Sequence, residues 1–244
     1  DFYSTPAIDK NGIIYIGAGD NNLYAYNPDG TVRWTYNVGS FVTTAPAIGP
    51  DGTIYVGTPS NSRRLYAINP DGTLKWSFFI GNNIYSSPVV AEDGTVYFWA
   101  NNGRLYAVGP DGTARWNYYV GSQSHQQASP VIGKDGTIYS AYPNGNFYAF
   151  NPDGTLKWTY AISGSIPSQS SAAIDLDGTI YVAVGTNLYA INPDGSEKWT
   201  NNVSANVAAA PSIGPDGTIY IGTKNNAFTL YAYNPDGSVK WLYY

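Results

Sequence analysis

A single imidazole, His125, lies in the segment Ser-Gln-Ser-His-Gln-Gln. Its side-chain type suits proton transfer near neutral pH. No acid stands beside it in sequence, so it completes no Ser-His-Asp set. We read it as a contact residue of a loop. Six carboxylates stand apart from the recurring turns described below: Asp1, Asp9, Asp20, Glu92, Asp175 and Glu197. A glycosidase would need two of them facing each other across a sugar, and their spacing selects no pair. Asp175-Leu-Asp177-Gly178 and Asp9-Lys-Asn11-Gly12 faintly suggest calcium loops, yet neither supplies the full series of oxygen ligands. With no Cys in the chain, disulfides and thiolate metal sites are excluded. Phosphate loops and dinucleotide-binding glycine patterns are also missing. The sequence therefore assigns no catalytic residue, no metal site and no cofactor.

A second group of residues suits binding. Trp99 stands where the other copies of a repeated strand end in Gly or Ala, at positions 17, 57, 141, 183 and 222. Tyr142, Tyr85, Phe41 and Phe228 fall in comparable places. Rings of this kind, with Asn101, Asn102, Asn144, His125, Gln126 and Gln127 nearby, make a flat, hydrogen-bonding surface for sugars or extended chains. Arg63, Arg64, Arg104 and Lys224 lie in or beside the same connections, against only Asp20. That excess of positive charge suits an acidic polysaccharide or an acidic protein patch. The expected ligand-binding set is Trp99, Tyr142, Tyr85, Phe41, Arg63, Arg64, Asn101, His125, Gln126 and Lys224.

The elements that must position these residues are six copies of one unit. Asn-Pro-Asp-Gly recurs at Asn27–Gly30, Asn69–Gly72, Asn151–Gly154, Asn192–Gly195 and Asn234–Gly237, and Gly109–Gly112 is a sixth copy with Gly in place of Asn. A Trp follows each, at 34, 76, 116, 158, 199 and 241, spaced by 42, 40, 42, 41 and 42 residues. A second glycine turn comes once per copy, at Gly12, Gly52, Gly94, Gly136, Gly178 and Gly217. Between these turns lie short runs rich in β-branched and aromatic residues, with no sustained helical period. In the third copy they are 87–91, 95–99, 104–108 and 114–120. Four strands in about 40 residues is the period of a propeller blade.

The turn residues have their own logic. In Asn-Pro-Asp-Gly, Pro presets φ for the first central position, Asp suits the next, and Gly supplies the positive φ that closes a hairpin with a bulge. The residue before each repeated Trp is basic: Arg33, Lys75, Arg115, Lys157, Lys198 and Lys240. Alternation along the fourth strand puts Trp and cation on opposite faces. We expect Trp to pack on the neighbouring blade and the cation to guard an exposed edge. Eleven of the 17 acids fall in the two recurring turns, which share one end of each blade. The other connections vary in length and content and emerge at the opposite end, where a site can be held.

The stretch Leu65–Trp76 (Leu-Tyr-Ala-Ile-Asn-Pro-Asp-Gly-Thr-Leu-Lys-Trp), with Ser/Ala-Pro-x-Ile/Val and Gly-Thr-Ile-Tyr-Val before it, resembles the pyrroloquinoline-quinone-like repeat family. The likeness runs through all six copies, and each Trp resembles that family's tryptophan-docking position. It implies a propeller. It does not imply the quinone cofactor, because the quinone-dependent dehydrogenases of the family have eight blades and calcium and quinone contacts that find no match here. Other members are non-catalytic binding scaffolds, so the likeness leaves the chemistry open.

The expected architecture is an all-β, six-bladed β-propeller with four antiparallel strands per blade and no strand shared as a latch. We place one domain over 1–244, with blades near 1–40, 41–82, 83–122, 123–164, 165–205 and 206–244. Without a latch, Trp241 on blade 1 would have to close the ring. Few charges (12%), many Tyr (23) and no Cys suit an extracellular or cell-surface protein. A net charge of −5 argues against nucleic acid as a partner, and no apolar run is long enough to span a membrane. No signal-peptide pattern opens the chain, which lacks Met, so its first residue is expected at a processed or engineered boundary. The function expected is a monomeric, non-enzymatic module binding a polysaccharide or a protein on the varied connections. A protein–protein scaffold within a multidomain surface protein and a polysaccharide lyase using His125 are the alternatives.

Overall fold

The computed structural model describes residues 4–121, 128–162, 171–203, 205–207, 209–224 and 229–243. Every regular element among them is a strand, and the strands form six four-stranded antiparallel sheets. Each sheet is built from four consecutive strands, so none borrows a strand from another. The fold is that of a six-bladed β-propeller without a strand latch. In the third blade the strands are Val89–Val90, Val96–Ala100, Arg104–Val108 and Ala114–Tyr119. The chain divides into two compact units, 1–127 and 128–244, each holding three blades.

The recurring turns do what their residues dictate. In the first blade, the Gly30 N–H donates to the Asn27 carbonyl at 2.9 Å, and Thr31 N–H donates to Asp29 Oδ1 at 3.0 Å. Gly30 has φ of 84°. The ladder shifts register beside each such turn, as at Ala107/Val108, which is the expected bulge.

Trp docks on the next blade, as its position implies. Trp34 Nε1 donates to the Pro70 carbonyl at 3.0 Å and Trp76 to that of Pro110 at 2.8 Å. In the second unit Trp158 donates to Pro193 and Trp199 to Pro235, at 2.9 and 3.0 Å. The indole also covers the glycine of the turn it meets. A Cβ on Gly72 would stand 2.7 Å from the Trp34 ring, and one on Gly112 2.9 Å from Trp76. These glycines therefore answer to two demands, a left-handed backbone and a ring lying flat against Cα. Behind each Trp stands a tyrosine of its own blade, for example Tyr55 with ring centroids 5.7 Å from Trp76.

The core lies between blades. Tyr15, Leu23 and Ala25 of the first blade meet Ile54, Val56 and Ile68 of the second. Ala141 and Phe147 of the fourth meet Ile180, Val182 and Ile191 of the fifth. The second strands of blades 2–5 are buried along their whole length, while Ile14–Gly17 of blade 1 and Ile219–Gly222 of blade 6 alternate. All of Val96–Ala100 is buried, as is all of Ile138–Tyr142. Each such aliphatic side chain contributes roughly 1.5–3 kcal/mol.

The cation before Trp has a partner that the sequence reading did not foresee. Lys75 pairs with Asp51 at 2.8 Å, Arg115 with Asp93 at 2.5 Å and Lys157 with Asp135 at 3.0 Å. Lys198 and Lys240 pair with Asp177 and Asp216 at 3.2 and 2.8 Å. Each ion pair ties the fourth strand of a blade to that blade's first turn. Blade 1 has Asn11 where the others have Asp, and there Arg33 donates instead to Asn27 Oδ1 at 3.3 Å. The cation is thus part of an internal tie as well as an edge charge.

Candidate functional site

In the first unit the varied connections of blades 2 and 3 are joined by a short polar network. Ser60 N–H donates to Asn83 Oδ1 at 2.8 Å, Asn83 Nδ2 donates to the Tyr85 hydroxyl at 3.3 Å, and Asn101 N–H donates to the Asn83 carbonyl at 2.9 Å. Asn83 therefore holds Tyr85, Asn101 and the 58–64 loop in one place. That loop is pinned at its neck. Thr58 N–H donates to the Arg64 carbonyl and Arg64 N–H to Thr58 Oγ1, both at 3.0 Å. Inside the neck, Ser60 and Arg63 take φ of 53° and 52°. Left-handed backbone is uncommon for these residue types and is found where surrounding structure enforces it. The loop thereby projects Arg63, which is exposed.

Beside it are two matched cation–ring pairs. The Arg64 guanidinium lies over Phe79, 5.1 Å from the ring centroid, and that of Arg104 over Tyr119 at 5.2 Å. Both rings are strongly exposed, at 61% and 52%. Each Arg is held in place by its own blade, Arg64 through Ser77 Oγ at 3.2 Å and Arg104 through Asn117 Oδ1 at 2.6 Å. Each pair faces across the ladder between third and fourth strands. The same position holds Asn22 with Asn37 in blade 1, Asn146 with Ala161 in blade 4, and Asn187 with Asn202 in blade 5. Among the described residues the ion pairs all use cations that precede a Trp, and none uses Arg63, Arg64 or Arg104. This positive, aromatic surface belongs to a chain of net charge −5.

The remaining expected residues divide. Phe41 and Tyr85 are half-buried. Trp99 and Tyr142 are 0% exposed, which corrects their expected place on a ligand-binding surface. Both belong to second strands that are buried along their whole length, Val96–Ala100 and Ile138–Tyr142. The Trp99 N–H donates to Ser86 Oγ at 2.8 Å. Lys224 is exposed and belongs to the second unit. His125 and Gln126, with Gln127 and Phe228, lie outside the described residues. Phe79, Tyr119 and Asn83 were not singled out by sequence reasoning. Comparing the first residue of each third strand with its partner across the ladder would have found the two rings.

At the opposite end, blades 2–6 pair the Asp of their first turn with a cation. Partial burial pushes the Asp51 carboxyl up, but the Lys75 ammonium and the Thr53 N–H and hydroxyl outweigh it and hold the pKa to about 2. Asp93 and Asp135 are also held at about 2, by Thr95 with Arg115 and by Thr137 with Lys157 against the same burial. Asp177, paired with Lys198, is also lowered. Its neighbour Asp175 accepts a hydrogen bond from the Leu176 N–H at 2.6 Å. Asp9 Oδ1 accepts the N–H groups of Asn11 and Ile13 at 2.8 and 2.9 Å. The two calcium-like stretches are thus turns whose carboxylates cap backbone or hold a cation. Among the described residues no three His, Asp or Glu side chains form a metal-ligating cluster. Among the described residues no helix is long and apolar enough to cross a membrane.

A family model described as outer membrane protein assembly factor BamB, of the pyrroloquinoline-quinone-like repeat type, matches residues 20–173 and 166–244. No curated protein matches the chain in sequence. Among solved structures, BamB from Moraxella catarrhalis is similar with a TM-score of 0.77 and 20% identity, over 99% of this chain and 74% of that one. Virginiamycin B lyase from Staphylococcus aureus is similar with a TM-score of 0.76 and 16% identity, over 98% and 82% of the two chains. At these identities the likeness to solved structures is one of fold.

Proposed function

We propose, from the premise that this chain belongs to the pyrroloquinoline-quinone-like repeat family of the outer membrane protein assembly factor BamB, that it is a non-catalytic, protein-binding scaffold. Its partner is an acidic, extended polypeptide segment, bound on the varied connections of blades 2 and 3. One observation carries this reading: Arg64 and Arg104 lie over exposed Phe79 and Tyr119, Arg63 is exposed next to Arg64 in the chain, and among the described residues no carboxylate forms an ion pair with any of the three. A guanidinium over an exposed ring offers a carboxylate hydrogen bonds and an apolar neighbour together. Positive charge on an otherwise acidic chain also speeds the approach of an acidic partner. The expected polysaccharide surface loses support with the burial of Trp99 and Tyr142. The weakly charged, Tyr-rich composition supports a secreted or cell-surface setting.

The test is fluorescence anisotropy with a labelled Asp/Glu-rich peptide carrying two aromatic residues, and with polygalacturonate as competitor. Binding should weaken with added salt and fall about tenfold or more in the double variant Arg63→Glu, Arg64→Glu. Peptide affinity unchanged by that variant would overturn the proposal. Binding of polygalacturonate without any binding of peptide would overturn it in favour of a sugar ligand.

A further inference from the structure

Granted an acidic, extended partner at blades 2 and 3, we infer that it binds as a fifth strand on blade 2, pairing its main chain with the free edge of Leu74–Phe79. The sheet of blade 2 runs in chain order through Ala47–Ile48, Ile54–Gly57, Arg64–Ile68 and Leu74–Phe79. Its two edges are unlike. Ala47–Ile48 is two residues long and follows Pro46, which has no N–H to give. Leu74–Phe79 is six residues long and holds no Pro or Gly. Among the described residues no strand pairs with its outer side. An unpaired row of N–H and C=O groups of that length is a template for another strand. The flanks of blade 2 come from its own unit, with Trp34 of blade 1 on Pro70 and Trp76 on Pro110 of blade 3.

Side chains along the edge set the chemistry of the added strand. Trp76 and Phe78 pack into the core shared with blade 3. By alternation Lys75, Ser77 and Phe79 lie on the opposite face. Arg64 covers that face, donating to Ser77 Oγ at 3.2 Å and standing 5.1 Å from the centre of the Phe79 ring. Lys75, which would otherwise guard the edge, is tied to Asp51 at 2.8 Å. An added strand turns every second side chain to this face. One opposite Ser77 brings a carboxylate to Arg64, and one opposite Phe79 brings a ring to a ring, and pairs of both kinds favour strand addition. A second copy of the chain suits the edge less well, because its own Lys75 and Arg64 would bring like charges together. Blade 3 has a matching edge, Ala114–Tyr119 with Arg104 over Tyr119, but its connection 101–103 holds no further cation. Blade 2 adds the exposed Arg63. Leu156–Ala161 of blade 4 is an edge of equal length that is faced by Asn146 in place of Arg.

The labelled Asp/Glu-rich peptide, with its backbone nitrogens methylated one at a time, tests the added strand on the full chain. A strand at an edge turns every second N–H to its neighbour. Methylation should therefore weaken binding about tenfold at alternate positions and leave the positions between near the unmodified peptide. Hydrogen–deuterium exchange should slow at 74–79 when peptide is bound and stay unchanged at 156–161. Binding that is lost in Arg63→Glu, Arg64→Glu yet shows no alternation, or leaves exchange at 74–79 as it was, would overturn the added strand and spare the acidic-peptide reading. Absence of binding, or binding untouched by that double variant, would overturn both. Slowing at 114–119 in place of 74–79 would overturn the choice of blade 2. Slowing at 74–79 that grows with chain concentration in the absence of peptide would overturn it in favour of a second copy.

Discussion

The two ends of blades 2 and 3 differ in kind. At one end lie the recurring turns, where Asp51 and Asp93 are each neutralised by a cation of their own blade. At the other end Arg64 and Arg104 have rings and neutral polar groups for company, Arg63 is exposed, and among the described residues none of the three pairs with an acid. Both ends are polar, and both are fixed by hydrogen bonds. Among the described residues Asp71 and Asp111 at the first end form no ion pair either, so one end leaves negative charge and the other positive. Charged residues at the first end hold the blade together, and those at the second remain available to something outside the chain.

The largest effect that could break this contrast comes from the docking joints. Trp76→Ala should destabilise the chain by about 2–4 kcal/mol in urea unfolding, since it empties a packed site and leaves the Pro110 carbonyl without its donor. Trp241→Ala, at an exposed copy of the same position, should cost under about 1 kcal/mol at low protein concentration. Equal losses would show that the docked indole adds nothing beyond its exposed copy.

Next in size is the glycine under the indole. Gly112→Ala meets both a φ of 82° and an indole 2.9 Å away, and should cost about 2–3 kcal/mol. Gly81→Ala meets a φ of 73° but only ordinary contact with Phe79 at 3.7 Å, and should cost about 1 kcal/mol. Thermal melts of both variants would separate the backbone demand from the packing demand.

A smaller effect is expected from acid. Asp51, Asp93 and Asp135 have folded pKa values of about 2, below the roughly 3.9 of an unfolded Asp. A depressed carboxyl contributes stability that is complete above the unfolded value and is lost as pH falls through the folded one. Stability should therefore drop between about pH 4 and pH 2. These groups are half-exposed, so solvent screening keeps each contribution under about 1 kcal/mol. Asp51→Asn should flatten that part of a melting-temperature–pH curve. An unchanged slope would show that the pair with Lys75 adds nothing.

Much of the fold was legible because the chain states it six times. Turn chemistry, strand order, the bulge and the docking of Trp all follow from residues that recur at fixed spacing. The site was legible only where residues sit in loops. Arg63, Arg64, Asn101 and Tyr85 do cluster in the first unit, but Trp99 and Tyr142 do not reach the surface. Alternation along a strand predicts one wet face, and that rule fails for Val96–Ala100 and Ile138–Tyr142, which are buried throughout. Phe79 and Tyr119 escaped notice because they end fourth strands that looked constant. Only their pairing with Arg64 and Arg104 across the ladder sets them apart. The tie between Lys75 and Asp51 also lay beyond local reading, since 24 residues separate the partners.

The central claim is that position, and not net charge, makes the blade 2 and 3 connections the binding end. Arg63→Glu and Lys10→Glu change the net charge equally, one at each end of the blades in the first unit. Both residues are exposed, so both variants should keep wild-type stability within about 0.5 kcal/mol. The decisive measurement is the affinity of each variant for the labelled acidic peptide at one fixed ionic strength. The account predicts that Arg63→Glu loses several-fold or more in affinity while Lys10→Glu stays near wild type. Equal losses in the two variants, or no loss in Arg63→Glu, would contradict it.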